Sequence, residues 1–305
     1  MIWSSEKLLF LYWVFRAKRQ LKKLINIYLM VMLMRFAGVD LSKPKVMGVI
    51  NVSPESFFKG SVKQSEEELI QTVLKMVEDG ASFIDVGAKS TAPYLETQIP
   101  VEEEVRRAVW AIKTIREHVD VPISIDTTSA RVAEEALKAG ADIINDVSGL
   151  KGDGNMAKVA KEYDVPVIVC AHKKVEDFKD PIHEVIKALE ESLQIAYKHG
   201  IEGIAIDPAI GFLRPNWPPW YEWDSKVLAN LNLLKVFGLP ILVGVSRKSF
   251  IGAITGRKDP MERLAGSLSA TAIAVWNGAH IIRTHDVRET VDAVKMAAFM
   301  RTFNP

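Results

Sequence analysis

The sequence predicts an α/β protein, a single (β/α)8 barrel of the TIM type preceded by an N-terminal extension. From Lys45 onward, eight short apolar runs alternate with longer amphipathic segments, which is the pattern of parallel strands joined by helices. Several of the amphipathic segments end at a glycine, as helices commonly do. A length of 305 residues suits one such barrel. A doubly wound open sheet is the alternative, but it usually has fewer equivalent units.

The predicted strands and helices follow one another along the chain. In order, the strands read KVMGVINV, SFIDVG, PISID, DIINDV, PVIVC, GIAID, PILVGVS and HIIRTH. Periodicity predicts helices over residues 66–79, 101–117, 130–139 and 182–199. Gly80, Gly140 and Gly200 follow three of these helices in the position that favours glycine.

Residues 1–34 differ from the predicted barrel, which we place at residues 35–305. Two apolar runs, LLFLYWVF and LINIYLMVMLM, flank the basic run RAKRQLKK. Neither approaches the roughly 20 residues needed to cross a bilayer, and the basic run lies on the wrong side for a secretory signal. Either this segment is a basic amphipathic helix, or it is sequence added upstream of a protein that begins near Met30, Met32 or Met34. We favour the second interpretation and expect no membrane association.

The composition is that of an ordinary globular protein. The formal net charge is +1 and 48% of the residues are hydrophobic. Without a basic excess or a nucleic-acid motif, no nucleic-acid partner is expected. The single cysteine, Cys170, excludes an internal disulfide and fits a cytoplasmic location.

Polar residues stand at the carboxyl end of every predicted strand. They are Asn51, Asp85, Asp126, Asn145 with Asp146, His172, Asp207, Arg247 with Lys248, and Arg283 with His285. In a (β/α)8 barrel these ends meet at one mouth, where active sites form. A single strand-end Asp, or Ser129, is more simply explained as a cap of the following helix. The complete set predicts an active site.

The charges of the predicted mouth sort into two groups. A nitrogen-rich heterocycle would be recognised by the first group: Asp126, Asn145, Asp207 and Lys248. An anion such as a diphosphate, accompanied by Mg²⁺, would be bound by the second group: Arg283, His285 and Asn51.

Two other chemistries suit this mouth less well. A lysine that forms a Schiff base is a minor alternative for Lys248, which lacks an evident proton-transfer partner. The six histidines contain no HxH pair, so the sequence does not supply the clusters of a metal-dependent hydrolase.

Seven segments, in this order and at these spacings, carry a family resemblance: MGVINVSPESF, GAKSTAP, SIDTT, INDVSGL, AIDPAIGF, GVSRKSFIG and IIRTHDV. From about Lys45 to its end, the chain resembles the dihydropteroate synthases. The last two segments are the most specific, because the broader pterin-binding barrel family shares the Asp and Asn residues but generally not these cations.

The resemblance implies a transferase that condenses 6-hydroxymethyl-7,8-dihydropterin diphosphate with p-aminobenzoate or a related arylamine and releases pyrophosphate. It implies that the pterin contacts Asp126, Asn145, Asp207 and Lys248. It implies that the diphosphate side contains Asn51, Arg283 and His285, with Asn51 also a ligand of Mg²⁺. Thr91 and Ser249 match positions near the arylamine. Asp126, Lys248 and Arg283 would then be catalytic, and a homodimer is expected.

The loops expected around the arylamine depart from the family pattern. Lys59 stands where an acidic residue is expected, and Ala92 replaces an arginine. Ala209 and Ile210 replace a glycine and a phenylalanine. An aromatic run, Trp217, Trp220, Tyr221 and Trp223, is either a packed surface segment or a lid over the acceptor. These departures predict an arylamine with a larger para substituent than p-aminobenzoate carries.

Two other functions remain open from the sequence. A pterin-dependent methyltransferase that acts with a corrinoid protein would share the barrel and the pterin pocket. A non-catalytic pterin-binding protein would share the pocket and release no pyrophosphate.

Overall fold

The computed structural model describes residues 34–53, 65–89, 99–172, 180–212 and 220–303. Eight parallel strands form its centre: β1 Lys45–Asn51, β2 Ala81–Gly87, β3 Ile123–Asp126, β4 Ile143–Asp146, β5 Val167–Cys170, β6 Ile204–Asp207, β7 Leu242–Gly244 and β8 Ile281–Thr284. They pair in the order β6-β5-β4-β3-β2-β1-β8-β7. A parallel bridge between Ile206 and Ile241 joins the two ends of this order. The predicted (β/α)8 barrel is confirmed, and the open sheet is excluded.

Helices surround the strands: α1 Glu66–Glu78, α2 Val101–Arg116, α3 Ala130–Lys138, α4 Met156–Glu162, α5 Pro181–Lys198, α6 Trp220–Ala229, α7 Ser249–Thr255, α8 Leu264–Trp276 and α9 Val287–Arg301. The bounds of the four predicted helices each agree with the structure to within one residue. Ser65 and Ser129 cap α1 and α3 by accepting backbone N–H groups. Glycines with positive φ follow α1, α3 and α5, as predicted.

The lower interior of the barrel, at the amino-terminal ends of the strands, is apolar. It consists of one buried side chain from each of seven strands: Met47, Phe83, Ile143, Ile168, Ala205, Leu242 and Ile281. A short hairpin of strands Arg35–Phe36 and Val39–Asp40 closes this end. Phe36 and Leu41 are buried against the same cluster, and the rings of Phe36 and Phe83 lie 6.2 Å apart. The hairpin therefore seals the barrel at the end opposite the mouth.

The predicted boundary at residue 35 falls inside this sealing segment, where Met34 already packs on the cluster. Residues 1–33 lie outside the described residues, so the two interpretations of the extension stay predictions. Within the described part of the chain, no helix is long and apolar enough to cross a membrane.

Because Phe36 is 3% exposed and fills the base of the barrel, Phe36→Ala should lower the free energy of unfolding by about 3 kcal/mol. Urea denaturation monitored by circular dichroism measures this change. Leu233→Ala, at a side chain that is 48% exposed, is the control and should change stability little. Equal effects of the two substitutions would show that the hairpin does not seal the barrel.

Candidate active site

The upper interior of the barrel is polar, and strand geometry explains why. Successive side chains on a strand point to opposite faces, so a residue two positions after an interior residue is also interior. Asp85 follows Phe83 in this way, Asp207 follows Ala205, and Arg283 follows Ile281. A polar layer therefore lies directly above the apolar layer.

Arg283 lies between two buried carboxylates in this layer. Its Nε atom donates to Oδ2 of Asp85 at 2.6 Å, and its Nη2 atom lies 2.6 Å from the same oxygen. Nη2 also donates to Oδ2 of Asp126 at 2.8 Å. Among the described residues, no acceptor contacts Nη1. One edge of the guanidinium is thus held by the barrel, and Nη1 remains available for a ligand.

Asp126 has an unusual environment for a carboxylate. Burial raises its pKa to about 7, and the carboxylates of Asp85 and Glu104 add to this rise, against the opposing effect of Arg283. Within the described part of the chain, its buried Oδ1 atom has no hydrogen-bond partner. A buried acceptor without a donor is costly, so this atom is suited to receive an N–H group of a ligand.

Asn145 and Asp207 complete the polar layer. The Nδ2 atom of Asn145 lies 3.3 Å from each carboxylate oxygen of Asp85. Asp207 accepts the backbone N–H of Ala209 at 2.7 Å, and burial raises its pKa. Asp146 differs from these two, because it accepts backbone N–H groups of the following loop at 2.8 and 2.9 Å. Asp146 therefore has a structural role, as does Ser129, whereas Asp126 caps no helix.

The adjacent cations Arg247 and Lys248 have separate roles. Arg247 is 6% exposed and makes a bidentate pair with Asp286, at 2.9 and 2.6 Å, while two backbone carbonyls accept from its Nη1 atom. It joins the loops after β7 and β8. Lys248 donates to the backbone oxygen of Ile210, and its Nζ atom lies 4.6 Å from the centre of the Phe212 ring. Burial lowers the pKa of Lys248, while the nearby carboxylate of Asp207 opposes this change.

The loop after β6 leaves room for Lys248. Gly211 has φ of +83°, and a Cβ atom there would lie 2.8 Å from Cδ of Lys248. The preceding Ala209 adopts φ of +62°, a conformation that glycine adopts more readily. The departure from the family pattern at Ala209 is thus accommodated with backbone strain, and Ile210 contributes only its backbone oxygen to the contact with Lys248.

His285 lies at the same end of the barrel and is neutral at physiological pH. Its Nδ1 atom is 3.0 Å from Oγ of Ser246. Burial lowers its pKa to about 3, and the positive charges of Arg283, Arg247 and Lys248 contribute further. His285 can therefore orient an anion through hydrogen bonding, while Arg283 supplies the charge.

Asn51 is the last residue of β1, and Ser249 is the first residue of α7. The Oδ1 atom of Asn51 lies 2.8 Å from where a Cβ of Gly87 would be, so a larger residue at position 87 would require the Asn51 side chain to shift. Ser249 is half-buried and directly follows Lys248. Among the residues described, no cluster of three or more His, Cys, Asp or Glu side chains could hold a metal.

The predicted site residues thus have different outcomes. Contacts and electrostatic interactions link six of them at one end of the barrel: Asp126, Asn145, Asp207, Lys248, Arg283 and His285. Thr91 lies outside the described residues, as do Lys59, Ala92 and Trp217. His172, which is exposed after β5, has a pKa lowered by partial desolvation, and no contact joins it to the polar layer among the described residues.

The aromatic run after β6 is partly described. Trp223 is 4% exposed, and Trp220 and Tyr221 pack against the same core cluster. The rings of Trp220 and Tyr221 meet edge to face, with centroids 6.0 Å apart. The described part of this run supports the packing interpretation over the lid.

Asp85 was predicted at the mouth but without a role, and Ser246 was not predicted there. Asp85 contacts both Arg283 and Asn145, and Ser246 contacts His285. The position of Asp85 near the end of a strand could have predicted its role, because a carboxylate inside a barrel requires a partner. Ser246 had no comparable signal.

Comparison with known proteins agrees with this geometry. The family model described as pterin binding enzyme matches residues 47–285. The chain is 39% identical to the dihydropteroate synthase of Clostridium beijerinckii over 254 residues, which are 82% of this chain and 92% of that protein.

Solved structures give the same result. A dihydropteroate synthase from Clostridium difficile, determined in the presence of pteroic acid, has a TM-score of 0.78 at 36% identity, covering 88% of this chain and 99% of that chain. The Xanthomonas albilineans dihydropteroate synthase with 4-aminobenzoic acid has a TM-score of 0.79 at 35% identity, covering 88% of this chain and 97% of the other. From its sequence and its fold, the chain therefore belongs to the pterin-binding enzymes and, within them, to the dihydropteroate synthases.

Proposed function

We propose that this protein condenses 6-hydroxymethyl-7,8-dihydropterin diphosphate with p-aminobenzoate or a related arylamine and releases pyrophosphate. The main support for the proposal is the polar layer, in which Asp85 and Asp126 hold Arg283 in place. The chain's membership of this family agrees with it. This layer combines acceptors for a pterin with a cation for its diphosphate. The product would serve the biosynthesis of folate or of a related pterin cofactor.

The pterin would bind to the carboxylates and amide of the polar layer. Asp126 offers the unpartnered Oδ1, and its Oδ2 becomes available when it releases Nη2 of Arg283. Asp207 and the amide oxygen of Asn145 supply further acceptors for ring N–H groups. The backbone oxygen of Ile210 accepts a hydrogen bond from Lys248 and holds its ammonium group in the mouth. From there Lys248 donates to an acceptor atom of the pterin ring system.

The reaction would proceed by cleavage of the bond between the methylene carbon and the diphosphate oxygen. The electron pair leaves with pyrophosphate, whose charge Arg283 stabilises through Nη1 while His285 contributes a hydrogen bond. Ionised Asp126 stabilises the positive charge that develops on the pterin. The arylamine nitrogen then attacks the methylene carbon and loses a proton, so no covalent bond to the protein forms.

We also propose that Mg²⁺ accompanies the diphosphate. Asn51 would be its protein ligand, and an amide oxygen is a hard donor of the kind that Mg²⁺ prefers. Mg²⁺ usually keeps several waters and binds substrate phosphates with few protein oxygens, so a sparse donor set fits. When bound, it would offset negative charge on the departing pyrophosphate.

The identity of the acceptor stays a prediction. Ser249 is the described residue that we assign to the arylamine. It directly follows Lys248, which we assign to the pterin. The residues that distinguish the acceptor loops, including Thr91 and Ala92, lie outside the described ranges. A comparison of kcat/KM for p-aminobenzoate and for an arylamine with a larger para substituent would decide between the two.

An exposed apolar stripe supports a homodimer. Met296, Phe299 and Met300 on α9, and Phe303 just after its end, recur at helical spacing and are 51% to 71% exposed. Ile273 and Trp276 of the neighbouring α8 are 48% and 42% exposed. Exposed apolar surface of this kind usually marks an interface. Association with a second copy of the chain would cover the stripe on each copy. We further infer a cytoplasmic location, which suits the buried free thiol of Cys170.

The first test is pyrophosphate release from the pterin diphosphate, Mg²⁺ and an arylamine. Asp126→Ala should lower kcat by about 100- to 1000-fold, because it removes a preorganised charge. Arg283→Ala should chiefly raise KM for the pterin diphosphate. The exposed Asp120→Ala is the control.

A wild-type protein that binds the pterin without releasing pyrophosphate would favour the non-catalytic function. A protein that instead demethylates a reduced folate in the presence of a corrinoid protein would favour the methyltransferase. Small, equal effects of the two substitutions would contradict the division of the mouth into two parts.

The rate should depend on the charge of Asp126. Since burial raises its pKa to about 7, kcat/KM should fall as the pH decreases below about 7 and Asp126 becomes protonated. The charged groups facing Asp126 are Arg283, Asp85, Glu104 and Asp146. Glu104→Gln keeps an acceptor for Thr127 but removes a negative charge that raises this pKa, so the acidic limb should move to lower pH. If the acidic side of the pH profile of kcat/KM does not move in this variant, it would instead reflect ionisation of the diphosphate.

The dimer is tested by placing a charge in the stripe. Phe299→Glu should convert a dimer to a monomer in sedimentation velocity, because the charge would be buried on association. Val236→Glu, at a side chain that is 75% exposed on a different surface element, should leave the dimer intact. A monomeric wild-type protein would contradict the assignment.

A further inference from the structure

Asp85 is buried completely, and its two carboxylate oxygens contact Arg283 and Asn145, which the proposed substrate would contact. Its relative exposure is 0%, and its interior position on β2 places it in the polar layer. Its Oδ2 atom lies 2.6 Å from both Nε and Nη2 of Arg283. This is the shortest pair of contacts that Arg283 makes in the described part of the chain.

The same carboxylate determines the orientation of Asn145. An ionised carboxylate only accepts hydrogen bonds, so the group of Asn145 that faces it must be the NH₂ group. Nδ2 lies 3.3 Å from both oxygens of Asp85, which fits this requirement. The amide oxygen of Asn145 is consequently directed away from Asp85 and can accept from a ligand.

The need for Asp85 follows from the double role of Asp126. In the empty mouth Asp126 binds Nη2 of Arg283, but a bound pterin competes for the same carboxylate. If Asp126 were the sole counter-ion, its release would leave a buried guanidinium without a partner, which is strongly unfavourable. Asp85 would remain with Arg283 throughout, since its side chain has no exposed surface for a ligand to contact.

We propose that Asp85 is a positioning residue that holds the Arg283 guanidinium and the Asn145 amide in their ligand-binding orientations without contacting substrate. This inference rests on the proposed function. It assigns one buried carboxylate to both halves of the site: Arg283 for the leaving group and Asn145 for the pterin.

Asp85→Asn is the test, because it preserves the volume and removes the charge. We expect the affinity for pyrophosphate, measured by isothermal titration calorimetry, to fall about 10- to 100-fold, the range found for groups that orient metal ligands. The affinity for 6-hydroxymethylpterin, which lacks the diphosphate, should also fall. The thermal transition, measured by circular dichroism, reports whether the variant is folded.

Ser124→Ala provides a matched control, since Ser124 is the register partner of Asp85 on β3 and its buried Oγ has no hydrogen-bond partner in the described part of the chain. It should leave both affinities unchanged. A merely structural role of Asp85 would alter the thermal transition and leave both affinities of the folded variant at the wild-type value.

A double-mutant cycle tests whether Asp85 acts through Arg283. In an Arg283→Ala background, Asp85→Asn should have no further effect on pyrophosphate affinity, because the group that it positions is absent. Its effect on pterin affinity, which passes through Asn145, should persist. Additive effects on pyrophosphate affinity would overturn the proposal.

If Asp85→Asn does not fold, Asp85→Glu replaces it, because it keeps the charge and displaces the carboxylate by one methylene. The same loss of pyrophosphate affinity is expected, and wild-type affinity in the folded Glu variant would contradict the proposal. A wild-type protein that binds pyrophosphate and pterin but never releases pyrophosphate from substrate would refute the proposed function alone, since the affinity measurements do not depend on turnover.

Discussion

The contact of Arg283 with Asp85 and Asp126 is the interaction on which the rest of the site depends. Three ionisable groups lie together inside a barrel, where an unpaired charge would be strongly destabilising. Their contacts of 2.6 to 2.8 Å satisfy most of the donors and acceptors. What remains unsatisfied, Nη1 of Arg283 and Oδ1 of Asp126 within the described residues, is available to a substrate.

The apolar base of the barrel makes this polar layer possible. The hairpin around Phe36 excludes water from below, while the side chains of Met47, Phe83 and their neighbours fill the lower interior. Because side chains two positions apart on a strand point to the same face, the first can join the apolar base and the second the polar layer. A low-dielectric floor then strengthens the ion pairs above it, and it also accounts for the raised pKa of Asp126.

Much of the fold and part of the site could be predicted from the sequence, since both depend on short-range periodicity. Apolar runs located all eight strands, and the polar residues that end them located the mouth. Pairings between distant residues could not be predicted in this way. Arg247 is next to Lys248 in the chain, yet it pairs with Asp286 inside the protein. Asp85 and Arg283 are far apart in sequence, and only closure of the barrel through β1 brings them together.

We infer that Asp85 keeps Arg283 in place while Asp126 turns to the pterin. A crystal structure of the protein with 6-hydroxymethylpterin bound tests it most directly. We predict that the distance between Nη2 of Arg283 and Oδ2 of Asp126, now 2.8 Å, exceeds about 3.5 Å in that complex. The distance between Nε of Arg283 and Oδ2 of Asp85 should stay near 2.6 Å. A complex in which Arg283 leaves Asp85, or in which the pterin contacts Asp85 itself, would contradict the account.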